Sequence, residues 1–333
     1  MNKKKLLVTV AEEQAFRPDT ADALRCARNV LDAARQRGYA AELFAVRVHD
    51  LKENGASLVA RLRQNSPLCI FNLFEGFCDD SGQEVVFARL LEETRIPFTG
   101  NGSAALAVCL QKHQAKEELR RQGIPVPAGV LVRRLDEFSD TQLRYPLFIK
   151  PGAEDGSVGI DAESWAGDRQ SARAGIEKKL KNHPAGLIVE EFFDGVEYNV
   201  GLLGSAPYEQ VGISVMDFAA APQCRPFFTY AAKWDTASVE YRKLTPSPQA
   251  DIPTAARQRI GRFAAAAAQA LGCRGYCRVD LRARGGELAV IDVNPNPDIN
   301  DDSGFMRQAA ARGWLFTEVI QKIIEQAVCG AHR

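Results

Sequence analysis

Hydrophobic and polar positions first follow an alternation of strands and helices. Leu6–Val10 reads as a strand, Thr20–Arg37 as an amphipathic helix with Leu24, Val30, Leu31 and Ala34 inward and Gly38 as its stop, and Ala40–Val46 as the next strand. A helix near Ala56–Arg63 precedes Leu68–Phe74, a nearly continuous apolar run of the kind shown by a strand covered on both faces. Helix Gln83–Glu93 and a short strand Ile96–Thr99 complete a small parallel α/β lobe. Ligands of such lobes gather beyond strand ends, which nominates Asn72-Leu73-Phe74-Glu75-Gly76; a plain polar loop is the competing reading.

Past Gly102 the rhythm changes. Ser103–Gln122 is helical and ends at Gly123, and Pro125 and Pro127 mark a linker into strands Val130–Val132 and Leu147–Lys150. The loop Pro151–Ile160 then carries three glycines and Ser157, so its backbone can approach a ligand and aim amides at anionic oxygens. Glycine loops are commonly plain turns. This one gains weight from Lys150, a cation placed where the strand enters the loop. Strands Leu187–Glu191, Glu197–Leu203 and Gln210–Val215 follow. Between Phe218 and Pro248 periodicity is lost for about thirty residues, the mark of a functional lid or of disorder, and the stretch holds Tyr230, Lys233, Trp234, Tyr241, Arg242 and Lys243. Thr254–Leu271 is an alanine-rich helix, and Gly304–Gly313 and Trp314–Val328 close the chain as helices.

The richest stretch lies between those helices. Tyr276–Leu281 and Leu288–Asn294 both alternate, and Gly285-Gly286 between them is a hairpin turn signal. Arg278, Asp280, Asp292 and Asn294 therefore share one face, opposite Val279, Leu281, Val290 and Val293. A solvated sheet face is the bland reading. Oxygens beside an arginine also suit a hard cation, since Mg²⁺ takes one or two protein carboxylates and completes its shell with water and nucleotide phosphates.

Composition narrows the field. The 333 residues suit two or three lobes, and 42 basic against 42 acidic residues argue against a nucleic-acid scaffold. The eight cysteines lack any C-x-x-C, as expected of reduced thiols in a cytoplasmic protein, and Cys273 and Cys277 read as packing residues near the hairpin. The apolar start is cut by Glu12 and Glu13 and reads as a first strand rather than an export signal, and no run approaches the ~20 apolar residues of a membrane span. His49, His113, His183 and His332 are dispersed and read as structural or solvated.

A lysine-ended strand, a glycine loop, an acidic strand exit, a lid with a lysine and an Arg/Asp/Asp/Asn hairpin come here in the order of an ATP-grasp active site. Over nearly its whole length the chain resembles the D-alanine–D-alanine ligase branch of that superfamily. The resemblance implies an α/β ATP-grasp fold: an N-terminal parallel α/β lobe (1–102), then central (103–186) and C-terminal (187–333) subdomains enclosing the nucleotide. It places Lys112 and Lys150 on the ATP phosphates, with Ser157 of the loop covering them. Glu190 matches the motif glutamate, Glu191 and Phe193 fall where main chain meets the adenine edge, and Glu197 matches the ribose-binding acid. Lys233 matches the lid lysine near the γ-phosphate. Arg278 matches the arginine on the transferring phosphoryl group, and Asp280, Asp292 and Asn294 match a two-metal site for Mg²⁺, with Mn²⁺ as a substitute. The implied partners are a small carboxylate and an amine, both amino acids, and a second copy of the chain in a homodimer.

The substrate positions depart from that pattern. D-Alanine-specific members carry two adjacent loop serines, the first linked to a tyrosine after the lid lysine and to an N-terminal glutamate. Here Gly156 and Trp234 stand at the first two places, and Glu12, Glu13 and Asp19 are loose candidates for the third. The second-substrate stretch Asn294–Gly304, with Asn300, Ser303 and Gly304 as candidate contacts, is acidic and lacks the usual leucine-proline-glycine. An amide or dipeptide ligase of other specificity is the favoured expectation, with a true D-alanine–D-alanine ligase or an ATP-grasp phosphotransferase as alternatives. A non-catalytic nucleotide-binding regulator is disfavoured, because every phosphate and metal position is filled.

Overall fold

The computed structural model describes residues 4–12, 18–52, 54–77, 80–154, 157–235, 237–248 and 251–330. The first lobe runs β1 (Lys5–Ala11), α1 (Pro18–Gln36), β2 (Ala40–Val46), α2 (Val48–Lys52), α3 (Gly55–Gln64), β3 (Cys69–Asn72) and α4 (Gly82–Thr94). Its sheet is parallel in the order β2-β1-β3, Val8 lying opposite Leu43 on one side and Phe71 on the other. All four residues of β3 are buried, as its unbroken apolar run predicts. Ile96–Thr99 differs from expectation. It joins β3 through a single bridge, Phe98 to Ile70, because Pro97 offers only its carbonyl, which accepts from Ile70 N, and Gly100 at φ +81° then turns the chain away.

The expected single helix at Ser103–Gln122 is two, α5 (Ser103–Leu110) and α6 (Lys112–Arg121), broken at Gln111 with ψ 82°. No glycine or proline announces this break. Its effect is local: Lys112 N donates to the Gly152 carbonyl at 2.9 Å, tying the start of α6 to the glycine loop. Strands β4 (Gly129–Val132), β5 (Leu147–Pro151), β6 (Trp165–Ala166) and β7 (Leu187–Glu191) form an antiparallel sheet in the order β4-β7-β5-β6, so β7 hydrogen-bonds into the second lobe rather than the third. Helix α7 (Arg169–Leu180) covers this sheet and starts at Asp168, whose carboxylate accepts from Ser171 N at 2.8 Å.

The third sheet runs β11-β10-β8-β9, formed by β8 (Glu197–Leu203), β9 (Glu209–Met216), β10 (Tyr276–Arg284) and β11 (Glu287–Asn294). Between β9 and β10 lie α8 (Tyr230–Trp234), α9 (Val239–Lys243) and α10 (Thr254–Ala270). The stretch Phe218–Pro248, which has no sequence period, is thus held by two short capped helices and by an apolar nucleus of Met216, Phe218, Ala221, Ala232 and Leu244. Closing helices α11 (Gly304–Ala311) and α12 (Phe316–Gly330) return to the first lobe, where Val319, Ile320, Ile323 and Ile324 share a core with Leu6, Val8 and Val30. No helix among the described residues is long and apolar enough to cross a membrane.

Candidate active site

The β10–β11 hairpin turns at Gly285-Gly286, with Gly285 at φ +58°, and pairs Arg278 with Asn294 and Asp280 with Asp292. The polar face read from the sequence is therefore continuous. The register then slips, Leu281 facing Val290, so that Ile291 is the extra residue of a bulge. Its carbonyl accepts from Lys150 Nζ at 3.0 Å and Lys116 Nζ at 3.3 Å.

Three lysines converge here. Lys112 Nζ lies 3.2 Å from Asp292 Oδ2, Lys150 Nζ 3.0 Å from Glu190 Oε1, and Lys116 Nζ 2.9 Å from Glu190 Oε2. Lys112, Lys116, Lys150 and Glu190 are all at most 6 % exposed, so their charges are held by one another rather than by water. Burial would raise the Asp292 carboxyl, but Lys112, Lys150 and Lys116 hold it down at about 2. Burial would likewise raise Glu190, and Lys116 and Lys150 keep it below the usual carboxylate range. Lys116 itself is pushed down to about 8 by burial, against the pull of Glu190.

On the same hairpin face Arg278 grips Asp280 with two bonds, and Asp280 also accepts from Asn294 Nδ2 and Asn199 Nδ2, each at 2.9 Å. Asn199 lies opposite Asp280 on β8 and bonds Glu197 Oε1 at 3.2 Å. Burial raises the Glu197 carboxyl, with the charge of Arg282 the main opposing influence. Lys233 of α8 is lowered by burial and by Arg278, against the opposing pull of Asp280, Glu197 and Asp292.

The glycine loop is fixed at one end. Lys179, on α7, donates to Gly159 O at 2.7 Å and to Asp161 Oδ1 at 2.6 Å, and Tyr230 N of α8 donates to Ile160 O at 3.1 Å. Ser157 sits at φ +65°, in the left-handed region, and its carbonyl accepts from Ile160 N at 3.1 Å. Beside this region, Phe148, Phe192 and Phe227 pack ring on ring at 5.1–6.1 Å, and Phe192 and Phe227 border an opening of about 380 Å³ with Pro146, Trp165, Asp194 and Arg225. Arg282 lies between the Phe192 and Phe218 rings, at 4.5 and 4.7 Å.

The other expected residues are placed less centrally. Glu191 keeps its side chain on Arg144 and Arg284 and spends its N–H on Ala128 O at 2.8 Å, while the Phe193 ring lies under Arg284 at 4.2 Å. Glu75 is exposed at the mouth of a cavity of about 10 Å³, room for one water, lined also by Asn72, Glu84, Tyr276 and Asn296; Asn72 Nδ2 has no partner there. Asn300 donates to Asp22 Oδ2 at 2.8 Å, and Ser303 Oγ caps α11 by accepting from Met306 N at 3.2 Å, with Gly304 the first residue of that helix. Gly156 and Glu13, and the side chains of Asp19 and Trp234, lie outside the described residues. Glu12 pairs with Arg47. Lys116, Lys179, Asn199 and Arg282 join the site without having been singled out in the sequence. Lys116 repeats Lys112 one helical turn on, and Asn199 and Arg282 continue the alternation from Glu197 and Asp280; Lys179 has no sequence signal.

One parallel sheet followed by two antiparallel sheets, the polar hairpin lying in the last, is the arrangement of the ATP-grasp enzymes. Superposition agrees: the D-alanine–D-alanine ligase of Bacillus anthracis complexed with ATP matches at a TM-score of 0.76 over 99 % of both chains, at 16 % identity. The VanG D-Ala:D-Ser ligase of Enterococcus faecalis matches at 0.75 over 98 % of this chain and 100 % of that one, at 22 % identity. Residues 119–325 fit the family model of the D-ala D-ala ligase C-terminus. The D-alanine–D-alanine ligase of Rhodospirillum rubrum is 30 % identical over 302 residues, 90 % of this chain and 91 % of that protein, and the Glaesserella parasuis ligase is 28 % identical over 307 residues, 91 % and 92 %. The chain belongs to the D-alanine–D-alanine ligase family of ADP-forming ATP-grasp ligases.

Proposed function

We propose that the protein joins a carboxylate to an amine at the cost of ATP, through an acyl phosphate, and that its substrates differ from a pair of D-alanines. The observation that carries the ligase reading is the meeting of Arg278 and Asp280 with the Lys112–Asp292 and Lys150–Glu190 pairs along one hairpin. A carboxylate oxygen is a poor leaving group. Moving the γ-phosphoryl onto it creates one that an amine can displace, and the charge on the moving group must be neutralised throughout. Lys112 and Lys150 bind the ATP phosphates in this reading, Ser157 and its loop cover them, and Lys233 and Arg278 act on the transferring group. Glu197 suits the ribose. Glu190, buried under two lysines, acts on the phosphate side by holding Lys150, while the aromatic opening beside Phe192 suits the adenine, with the main chain of Glu191 and Phe193 at its edge.

The donor set also fits Mg²⁺. Asp280 and Asp292 face each other across the hairpin, and with the amide oxygen of Asn294 beside them they offer the hard oxygen donors that Mg²⁺ takes. Two carboxylates suit an ion whose remaining ligands are phosphate oxygens. Bound there, it would neutralise phosphate charge; the lid would exclude water that could hydrolyse an acyl phosphate.

The substrate reading rests on Gly156 and Trp234, where the family's D-alanine clamp has hydroxyl groups, and on the acidic stretch before Ser303. The named relatives favour a second reading, synthesis of D-alanyl-D-alanine itself. An ADP-release screen of carboxylate and amine pairs, with mass detection of products, separates the two. ADP release that needs a carboxylate but no amine, with a phosphorylated product, would instead indicate a phosphotransferase.

A further inference from the structure

We infer that Lys116 is a positioning residue for nucleotide binding: it holds Glu190, and Glu190 together with the Ile291 carbonyl holds Lys150 where ATP's phosphates arrive. The inference rests on the ATP-binding part of the proposed function and on no choice of substrate. Lys116 is buried and stands on α6, one turn beyond Lys112. Its ammonium reaches the same two acceptors as that of Lys150: Glu190, at 2.9 Å against 3.0 Å, and Ile291 O, at 3.3 Å against 3.0 Å. Two lysines thus share one carboxylate and one bulge carbonyl, and each oxygen of Glu190 lies at ion-pair distance from one of them.

This sharing has consequences for charge and for geometry. Glu190 paired with Lys150 alone would cancel the charge that Lys150 brings to the phosphates. With Lys116 present, the three lysines face the two carboxylates Glu190 and Asp292 and leave an excess of one positive charge, buried where it is least screened. The Glu190 backbone is held close against its neighbouring strand. A Cβ on Gly129 of the neighbouring strand would lie 2.6 Å from Glu190 Cβ, so the glutamate backbone and β4 are packed at the limit of contact. Loss of Lys116 should therefore be felt by Lys150, the flexible partner, which would be drawn further onto Glu190 and away from the nucleotide.

Calorimetric titration of ADP with Mg²⁺ into the full chain, beside the ATP dependence of ADP release, tests the idea. For Lys116→Met, of similar length without charge, ADP affinity and the KM for ATP should weaken about tenfold or more, with kcat less changed. Lys116→Arg should recover part of the loss. In a Glu190→Gln background the further effect of Lys116→Met should shrink, because the intermediary has been removed. A Lys116→Met protein that melts earlier yet binds ADP as wild type does would overturn the inference, as would equal effects in the two backgrounds. Should Lys116→Met not fold, the same comparison between wild type and Lys116→Arg decides: guanidinium geometry at a shared carboxylate must alter ADP affinity, and unchanged affinity counts against positioning. Wild-type protein that binds no ADP would sink this inference and the ligase reading together, whereas ADP binding with no turnover of any carboxylate would sink the ligase reading alone.

Discussion

Arg278 and Asp280, two residues apart on β10, are locked side by side, Nε 2.8 Å from Oδ1 and Nη2 2.9 Å from Oδ2. The pair keeps Arg278 charged although burial opposes it, and keeps its plane fixed on the hairpin face. A guanidinium so held acts best on charge that develops during transfer. Arg278→Lys, which keeps the charge but loses the fork, should lower kcat on the order of 10²-fold with little change in the KM for ATP. Arg278→Ala should lose more rate, and its melting temperature must be followed, since it strands Asp280. An unchanged rate with weakened ATP binding would remove Arg278 from the chemistry.

Asp292→Asn and Asn294→Ala should leave folded proteins that turn over ATP at least tenfold more slowly, because in the proposed function both groups hold Mg²⁺ against the phosphates. Circular dichroism and ADP release on the same preparations check this. Turnover within twofold of wild type would refute the assignment.

The depressed Asp292 carboxyl also predicts a pH window for stability. Its folded value of about 2 lies below the ~3.9 of an unfolded aspartate, so its contribution is complete above about pH 4 and is lost as pH falls towards 2. Denaturant melts in chelator should show wild type and Asp292→Asn differing most above pH 4, with the gap narrowing as acid is added. A gap that widened on acidification would contradict the lysine-held carboxylate.

Much of this was legible beforehand, and the misses have physical causes. Alternation placed Arg278, Asp280, Asp292 and Asn294 on one face because a strand's period is two whatever surrounds it, and the structure pairs them as that period requires. The bulge at Ile291 was not legible: a one-residue slip in pairing leaves the alternation of each strand unchanged, yet it is here that the Ile291 carbonyl receives two lysines. Helix α7 was hidden by its polarity, and its Lys179 matters only through a loop held in place by tertiary contact. Gln111 breaks a helix that local propensity would continue, and the break frees Lys112 N to bond the Gly152 carbonyl in a distant part of the chain.

The lid should respond to ligand. Phe218–Pro248 rests on a small apolar nucleus and two five-residue helices, and Tyr230 N links it to the glycine loop at Ile160. So little buried surface leaves it at the low-stability end of the molecule. Amide hydrogen exchange across this stretch should slow when ATP and a carboxylate bind and bring Lys233 to the γ-phosphate. Equal protection with and without ligand would count against closure.

The remaining prediction is specificity. Tyrosine offers a hydroxyl that both donates and accepts, whereas the Trp234 indole offers one donor and no acceptor, and Gly156 has no side chain. On the proposed assignment of Gly156 and Trp234 to the clamp positions, two of the polar groups that would read the ammonium of D-alanine are missing, and a larger or less polar carboxylate should be favoured. A missing polar partner in a dry site costs ~1–3 kcal/mol, so two such losses should lower D-alanine efficiency by on the order of 10–10⁴-fold. Incubation with D-alanine and ATP alone should yield at most traces of D-alanyl-D-alanine by mass detection, while another carboxylate–amine pair drives ADP release well. Restoring the clamp tests the cause: Gly156→Ser with Trp234→Tyr should raise the D-alanine rate above that of either single change. Rapid dipeptide synthesis from D-alanine by the unaltered chain would refute the altered specificity while leaving the ligase chemistry intact.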